Sequence, residues 1–160
     1  ERLAIWEGVK GEELYLLKTA ALYHDAGFID SYESNEPIGA NLAKEMLPSF
    51  GYTEDQIKQV IELIGATKMP QTPNNHLEEI MCDSDLDYLG RQDFYPIAET
   101  LRQELVEFGK LEDNPMQWVE MNIGFLSGHK YFTRSSQTRR QPEKEKRIEE
   151  LKNKLVASKK

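Results

Sequence analysis

Residues 53–64 read TEDQIKQVIELI, and this stretch sets the pattern for the whole chain. Thr53 followed three positions later by Gln56 is a capping box, in which each side chain satisfies a backbone amide of the first turn. Ile57, Val60, Ile61 and Ile64 then recur at helical spacing. The same punctuation extends in both directions. Upstream, residues 12–25 place Leu14, Leu17, Ala21 and His24 on one helical face, and Gly27 follows as a stop. Asn35 is placed to cap a helix to about Phe50, with Pro37 tolerated in its first turn and Gly51 after its end. Downstream, Pro70 and Pro73 interrupt the chain, and Asn75 with Glu78 opens a helix closed by Gly90. A further helix runs from about Asp93 to Phe108, closed by Gly109. Asn114, Pro115 and Gln117 start one that reaches about Thr133. Pro142 opens a last helix with Ile148, Leu151 and Leu155 on one side. No stretch alternates as a strand, and there is no internal repeat. The expected fold is all-α: one compact domain of seven or eight helices in all, with residues 1–133 as its body and residues 134–160 as a basic, mostly polar, peripheral helix.

The 160 residues are 39% hydrophobic and 30% charged, the balance of a soluble domain with a sizeable core. No run approaches the roughly 18 apolar residues of a membrane span. The opening ERLAIWEG lacks the basic-then-apolar order of a signal peptide. It starts without Met and already in helical rhythm, so residue 1 reads as a cut within a longer chain. A single cysteine, Cys82, excludes an internal disulfide and a cysteine-based zinc site, and fits a reducing cytoplasm. The net charge of −8 is uneven: from Arg134 onward ten basic residues face four acidic ones, leaving ten against twenty-four elsewhere, a body at −14. Such a body does not attract nucleic acid by its overall field.

Residues 22–27, LYHDAG, put a histidine and an aspartate side by side at the end of the helix over 12–25. A lone histidine on an apolar stripe, beside Ala20 and Ala21, is ordinarily a hydrogen-bonded core residue. Asp25 alters that, because a buried carboxylate is costly unless paired or bound to a metal. The two groups can converge on one ion, and imidazole with carboxylate suits Mn, Fe, Co, Ni or Zn better than Ca. A second acidic group lies in MCDSDLDYLG, residues 81–90. Helical phase puts Asp83 and Asp87 with Glu79 on a polar sector, where they read as solvated surface. Asp85 falls between Met81 and Leu89 and is turned toward the core, where it needs a partner.

ALYHDAGF and CDSDLDYLGR together resemble the HD superfamily of metal-dependent phosphohydrolases. The resemblance covers about residues 1–133. It implies an all-α fold and assigns His24, Asp25 and Asp85 as metal ligands, with Asp83 as the alternative to Asp85. The superfamily's first histidine lies on a preceding helix, and no histidine precedes His24 here. That ligand is therefore expected upstream of residue 1, and the chain as it stands is expected to hold its metal weakly or not at all and to be nearly inactive. Two-metal members carry His-Glu where this chain has Asn35-Glu36, and a further histidine where it has Thr67, so at most one metal is expected.

The implied activity is hydrolysis of a phosphate ester, a nucleotide or another small phosphorylated molecule, assisted by a divalent ion (Mn, Mg, Fe, Co, Ni or Zn). Asp25 would hold the attacking water or bridge to the substrate. Glu36 would act as a general acid or base, although a charge at a helix N-terminus accounts for it equally well. Lys68 and Arg91 are the candidate substrate contacts, with Arg139 and Arg140 behind them. The alternative is a non-catalytic helical domain that binds a nucleotide or a protein partner within a larger regulatory protein. His129, in FLSGHKYFT, reads as a packed, hydrogen-bonded core histidine. His76 reads as exposed, and Trp6 and Trp118 as packing residues.

Overall fold

The structure, a computed structural model, describes residues 1–31 and 34–158. Tyr32, Glu33, Lys159 and Lys160 lie outside the described residues, and with the last two goes the end of the basic tail. Among the described residues there are nine α-helices and no strand. They are α1 (Arg2–Trp6), α2 (Gly11–Tyr23), α3 (Asn35–Met46), α4 (Glu54–Ala66), α5 (His76–Asp85), α6 (Phe94–Glu107), α7 (Pro115–Gly128), α8 (Arg134–Arg139) and α9 (Gln141–Ser158). Short 3₁₀ turns follow α2, α3 and α5 at Ala26–Ile29, Leu47–Phe50 and Asp87–Gly90. Among the described residues no helix is long and apolar enough to cross a membrane. The chain was expected to divide at residue 134. Its contacts instead group it into two compact units, Glu1–Asp85 with Phe132–Ser135, and Leu86–Tyr131 with Ser136–Lys160.

In the first unit the capping box of α4 forms in both directions. Gln56 N donates to Thr53 Oγ1 at 3.3 Å, and Thr53 N donates to Gln56 Oε1 at 2.9 Å. The helix then buries Ile57, Val60, Leu63 and Ile64 against Leu16, Leu17 and Ala20 of α2 and Ile80 and Met81 of α5. The buried face of α2 is rotated from the expected one: Leu16, Leu17, Thr19 and Ala20 are inside, whereas Ala21 is exposed. Helix α2 packs against α3, α4 and α5 together, so a single stripe does not describe its contacts. Trp6, read as a core or helix-packing residue, lies at the surface.

Helix α5 departs most from its expected phase. Glu78, Ile80, Met81, Cys82 and Asp83 are all buried, so it has no solvated sector along its middle. Asp83, expected at the surface, is fully buried and accepts from Phe132 N (2.9 Å), Thr133 N (2.8 Å) and Thr133 Oγ1 (2.6 Å). These amides serve the carboxylate instead of a helix, and the helix expected to reach Thr133 stops at Gly128 with His129 already extended. Glu78 is satisfied locally, accepting from Asn74 N at 2.7 Å and from the Asn74 and Asn75 side-chain amides at 3.0 and 2.8 Å.

The second unit has its own core, formed by Leu86, Leu89, Phe94, Ala98, Val119, Leu126, Tyr131 and Leu151. Helix α9, expected to be peripheral, contributes Leu151 and buries Lys144 and Arg147. Their aliphatic stems pack while their charges are used. Arg147 lies over the Phe94 and Tyr95 rings at 5.5 and 5.8 Å and donates to the Arg91 carbonyl. Lys144 donates to the His129 carbonyl, lies 5.2 Å from the centre of the Tyr131 ring, and has its Nζ 3.2 Å from His129 Nδ1. Asp87, also expected in solvent, is instead paired with Arg140.

Candidate metal centre

Two glycines decide how closely α2 and α3 approach. A Cβ on Gly39 would lie 2.2 Å from the Tyr23 carbonyl oxygen, and one on Gly27 would lie 2.1 Å from that of Asn35. Without side chains there, the first turns of α3 press directly against the end of α2, where His24 and Asp25 sit. Asn35 was expected to cap α3. It is the first helical residue, Ser34 occupies the cap position without a side-chain bond, and the Asn35 amide reaches back instead. Its Nδ2 lies 3.4 Å from both the His24 carbonyl and Asp25 Oδ1.

Asp85 arrives from the other side as the last residue of α5. That helix is fastened to the end of α4 by the Cys82 thiol, whose Sγ donates to the Ala66 carbonyl at 3.1 Å. Burial first, then the charges of Asp83, Asp85 and Glu78, push this thiol up to about 12, so it is a packing group and not a nucleophile. Gln71, in the loop after α4, donates from Nε2 to Asp85 Oδ2 at 3.0 Å and lies 3.5 Å from the Thr67 carbonyl. The Thr67 hydroxyl itself donates to the Ile64 carbonyl at 2.8 Å.

These elements bring His24, Asp25 and Asp85 together. His24 Nε2 is 3.2 Å from Asp25 Oδ2 and 3.5 Å from Asp85 Oδ1, and one ligand-capable atom from each residue lies within 4.8 Å of the others. The other ring nitrogen, Nδ1, is 3.0 Å from the Ala21 carbonyl, which can only accept. That contact places a proton on Nδ1 and turns Nε2 toward the two carboxylates, the arrangement of a metal-ligating imidazole with its far N–H held by the backbone. Side-chain exposure is 18% for His24, 23% for Asp85 and 57% for Asp25, so the cluster opens to solvent on the Asp25 side. Burial lowers the basicity of His24. The hydrogen bond to Asp85 and the charges of Asp25 and Asp85 outweigh it, and the imidazole titrates above its ordinary value.

One nitrogen and two carboxylates close together fit a divalent cation. Two anions beside one imidazole repel each other without a positive charge among them, and N/O donors of this kind suit the first-row divalent metals. The other expected site residues are less closely placed. Glu36 is half-buried in the first turn of α3, and no hydrogen bond or ion pair among the described residues joins it to the cluster. Lys68 is exposed just after α4. Arg91 belongs to the second unit, where its guanidinium is paired with Asp93 and Asp87. Arg140 there is committed to Asp87.

Two participants were not singled out from the sequence. Asn35 was read as a cap standing where two-metal superfamily members carry a histidine, not as a partner of Asp25, and Gln71, between Pro70 and Pro73, fell in a break. Neither residue type marks a site unless its carboxylate partner is known. No family model, curated protein or solved structure matches this chain.

Proposed function

We propose that the chain is a metal-dependent phosphohydrolase acting on a nucleotide or another small phosphorylated molecule. The observation that supports it is the convergence of His24 Nε2, Asp25 Oδ2 and Asp85 Oδ1, with His24 Nδ1 anchored to the backbone. The resemblance of the two aspartate-bearing motifs to the HD superfamily supplies the reaction class. A bound divalent ion would supply Lewis acidity toward a phosphoryl oxygen and make an attacking water more acidic.

The residues of this chain then have distinct roles. His24, Asp25 and Asp85 would hold the ion, His24 and Asp85 being the more enclosed pair. Asp25, the most exposed of the three, has one oxygen toward the cluster and faces the side from which a substrate enters. It is therefore the group that orients the water and takes its proton. Lys68 is an exposed ammonium on the segment leading to Gln71 and is the candidate contact for substrate charge. Glu36 is the reserve acid or base at the start of α3.

The test is a panel of nucleotides and phosphate esters with added Mn²⁺, read as phosphate release, together with metal binding by calorimetry. Asp25→Ala should lose both binding and phosphate release while keeping its helical circular dichroism. Full phosphate release by Asp25→Ala would remove the proposed role, and nucleotide binding with no metal binding would favour a non-catalytic binding domain.

A further inference from the structure

The two carboxylates of the cluster are held alike. Each has one oxygen toward His24 Nε2 and the other beside a side-chain amide. Gln71 Nε2 donates to Asp85 Oδ2 at 3.0 Å, and Asn35 Nδ2 lies 3.4 Å from Asp25 Oδ1. Of the two, Gln71 makes the shorter contact, and its nitrogen is also 3.5 Å from the Thr67 carbonyl at the end of α4. An amide N–H can only donate, so the oxygen it holds has one of its lone pairs engaged and its carboxylate plane fixed.

We infer that Gln71 determines which cation this centre accepts, by keeping Asp85 a one-oxygen ligand. The inference rests on the metal-centre reading above. A carboxylate free to use both oxygens suits Ca²⁺, which is large and gathers six to eight oxygens, often from bidentate carboxylates. A carboxylate with one oxygen tied back, beside an imidazole, suits a smaller first-row ion such as Mn²⁺ that accepts mixed nitrogen and oxygen donors. Gln71 touches neither the ion nor the substrate in this scheme and is a positioning residue.

The experiment is calorimetric titration of the whole chain with Mn²⁺ and separately with Ca²⁺, for the native protein, Gln71→Met and Gln71→Asn. The methionine has similar length and no donor, and the asparagine amide stops one methylene short. Native protein should favour Mn²⁺. Both variants should lose about ten- to a hundredfold in Mn²⁺ affinity, the usual effect of removing an outer hydrogen bond to a ligand. Their Ca²⁺ affinity should fall by less, so the Mn²⁺ preference shrinks. Equal losses for both ions, or none, in variants whose thermal midpoints match the native protein would overturn the assignment of selectivity to Gln71. If Gln71→Met does not fold, Gln71→Asn decides the same question. Mn²⁺ binding by the native protein that is unchanged in His24→Ala would overturn the metal centre itself, an outcome distinct from failure of the Gln71 role.

Discussion

Three aspartates within five residues, Asp83, Asp85 and Asp87, show how little the residue type alone decides. Asp83 is buried and meets three hydrogen-bond donors from Phe132 and Thr133. Asp87 pairs with Arg140. Asp85 shares its surroundings with His24, Asp25 and Gln71. Substitution should separate the first from the third. Asp83→Ala leaves two backbone amides and a hydroxyl without their acceptor, and should cost about 3 kcal/mol or more in urea unfolding. Asp85→Ala removes one of two neighbouring anions, and in metal-free protein should cost less than about 1 kcal/mol. Similar losses for the two would mean that Asp85 is also a structural carboxylate. The sequence carried half of this distinction. Helical phase turned Asp85 inward correctly, but it sent Asp83 to solvent because it assumed a helix with one wet side, and α5 has none along its middle.

At the scale of elements, the site depends on where three helix ends meet: the end of α2, the start of α3 and the end of α5. Helix starts were legible wherever a side chain caps locally, as at Thr53, Asn75 and Asn114. The end of α7 was not, because the amides that might have extended it serve Asp83, a partner 49 and 50 residues away in sequence. Nor was the approach of α2 to α3, since a glycine reads as a helix stop or a weak point until its neighbours are known. Gly39→Ala would put a methyl 2.2 Å from the Tyr23 carbonyl oxygen. It should cost about 1–3 kcal/mol by overpacking and should weaken Mn²⁺ binding by displacing α3 from His24. Gly65→Ala, on α4 with nothing within 4 Å of the new methyl, should instead stabilise by up to about 1 kcal/mol. Equal effects in thermal melts of the two variants would show that the close approach is not a constraint.

At the scale of the whole molecule, the all-helical class and both motif-bearing helices were readable, whereas the division into two units and the burial of basic residues in α9 were not. Long cationic side chains read as solvated until aromatic rings and carbonyls are found around them, as Tyr131 and the His129 carbonyl surround Lys144. His129 was expected to be packed and hydrogen-bonded. Its Nδ1 faces Lys144, but its Nε2 is buried without a hydrogen-bond partner among the described residues. Burial, and then the Lys144 charge, push its pKa from 6.5 down to about 4. The folded state therefore resists a proton that the unfolded chain takes up. The contribution is fully present above the ordinary value and is lost as pH falls from about 6.5 toward about 4. Urea midpoints across this window should fall more steeply for the native chain than for His129→Gln, and parallel curves would contradict a neutral, half-buried His129.

The centre at His24, Asp25 and Asp85 is tested most directly by its nitrogen. Bound Mn²⁺ should show electron spin echo modulation from one directly coordinated imidazole nitrogen, and the signal should vanish in His24→Ala while persisting in His76→Ala and His129→Ala. A nitrogen signal that survives His24→Ala, or Mn²⁺ held with no nitrogen at all, would contradict the account.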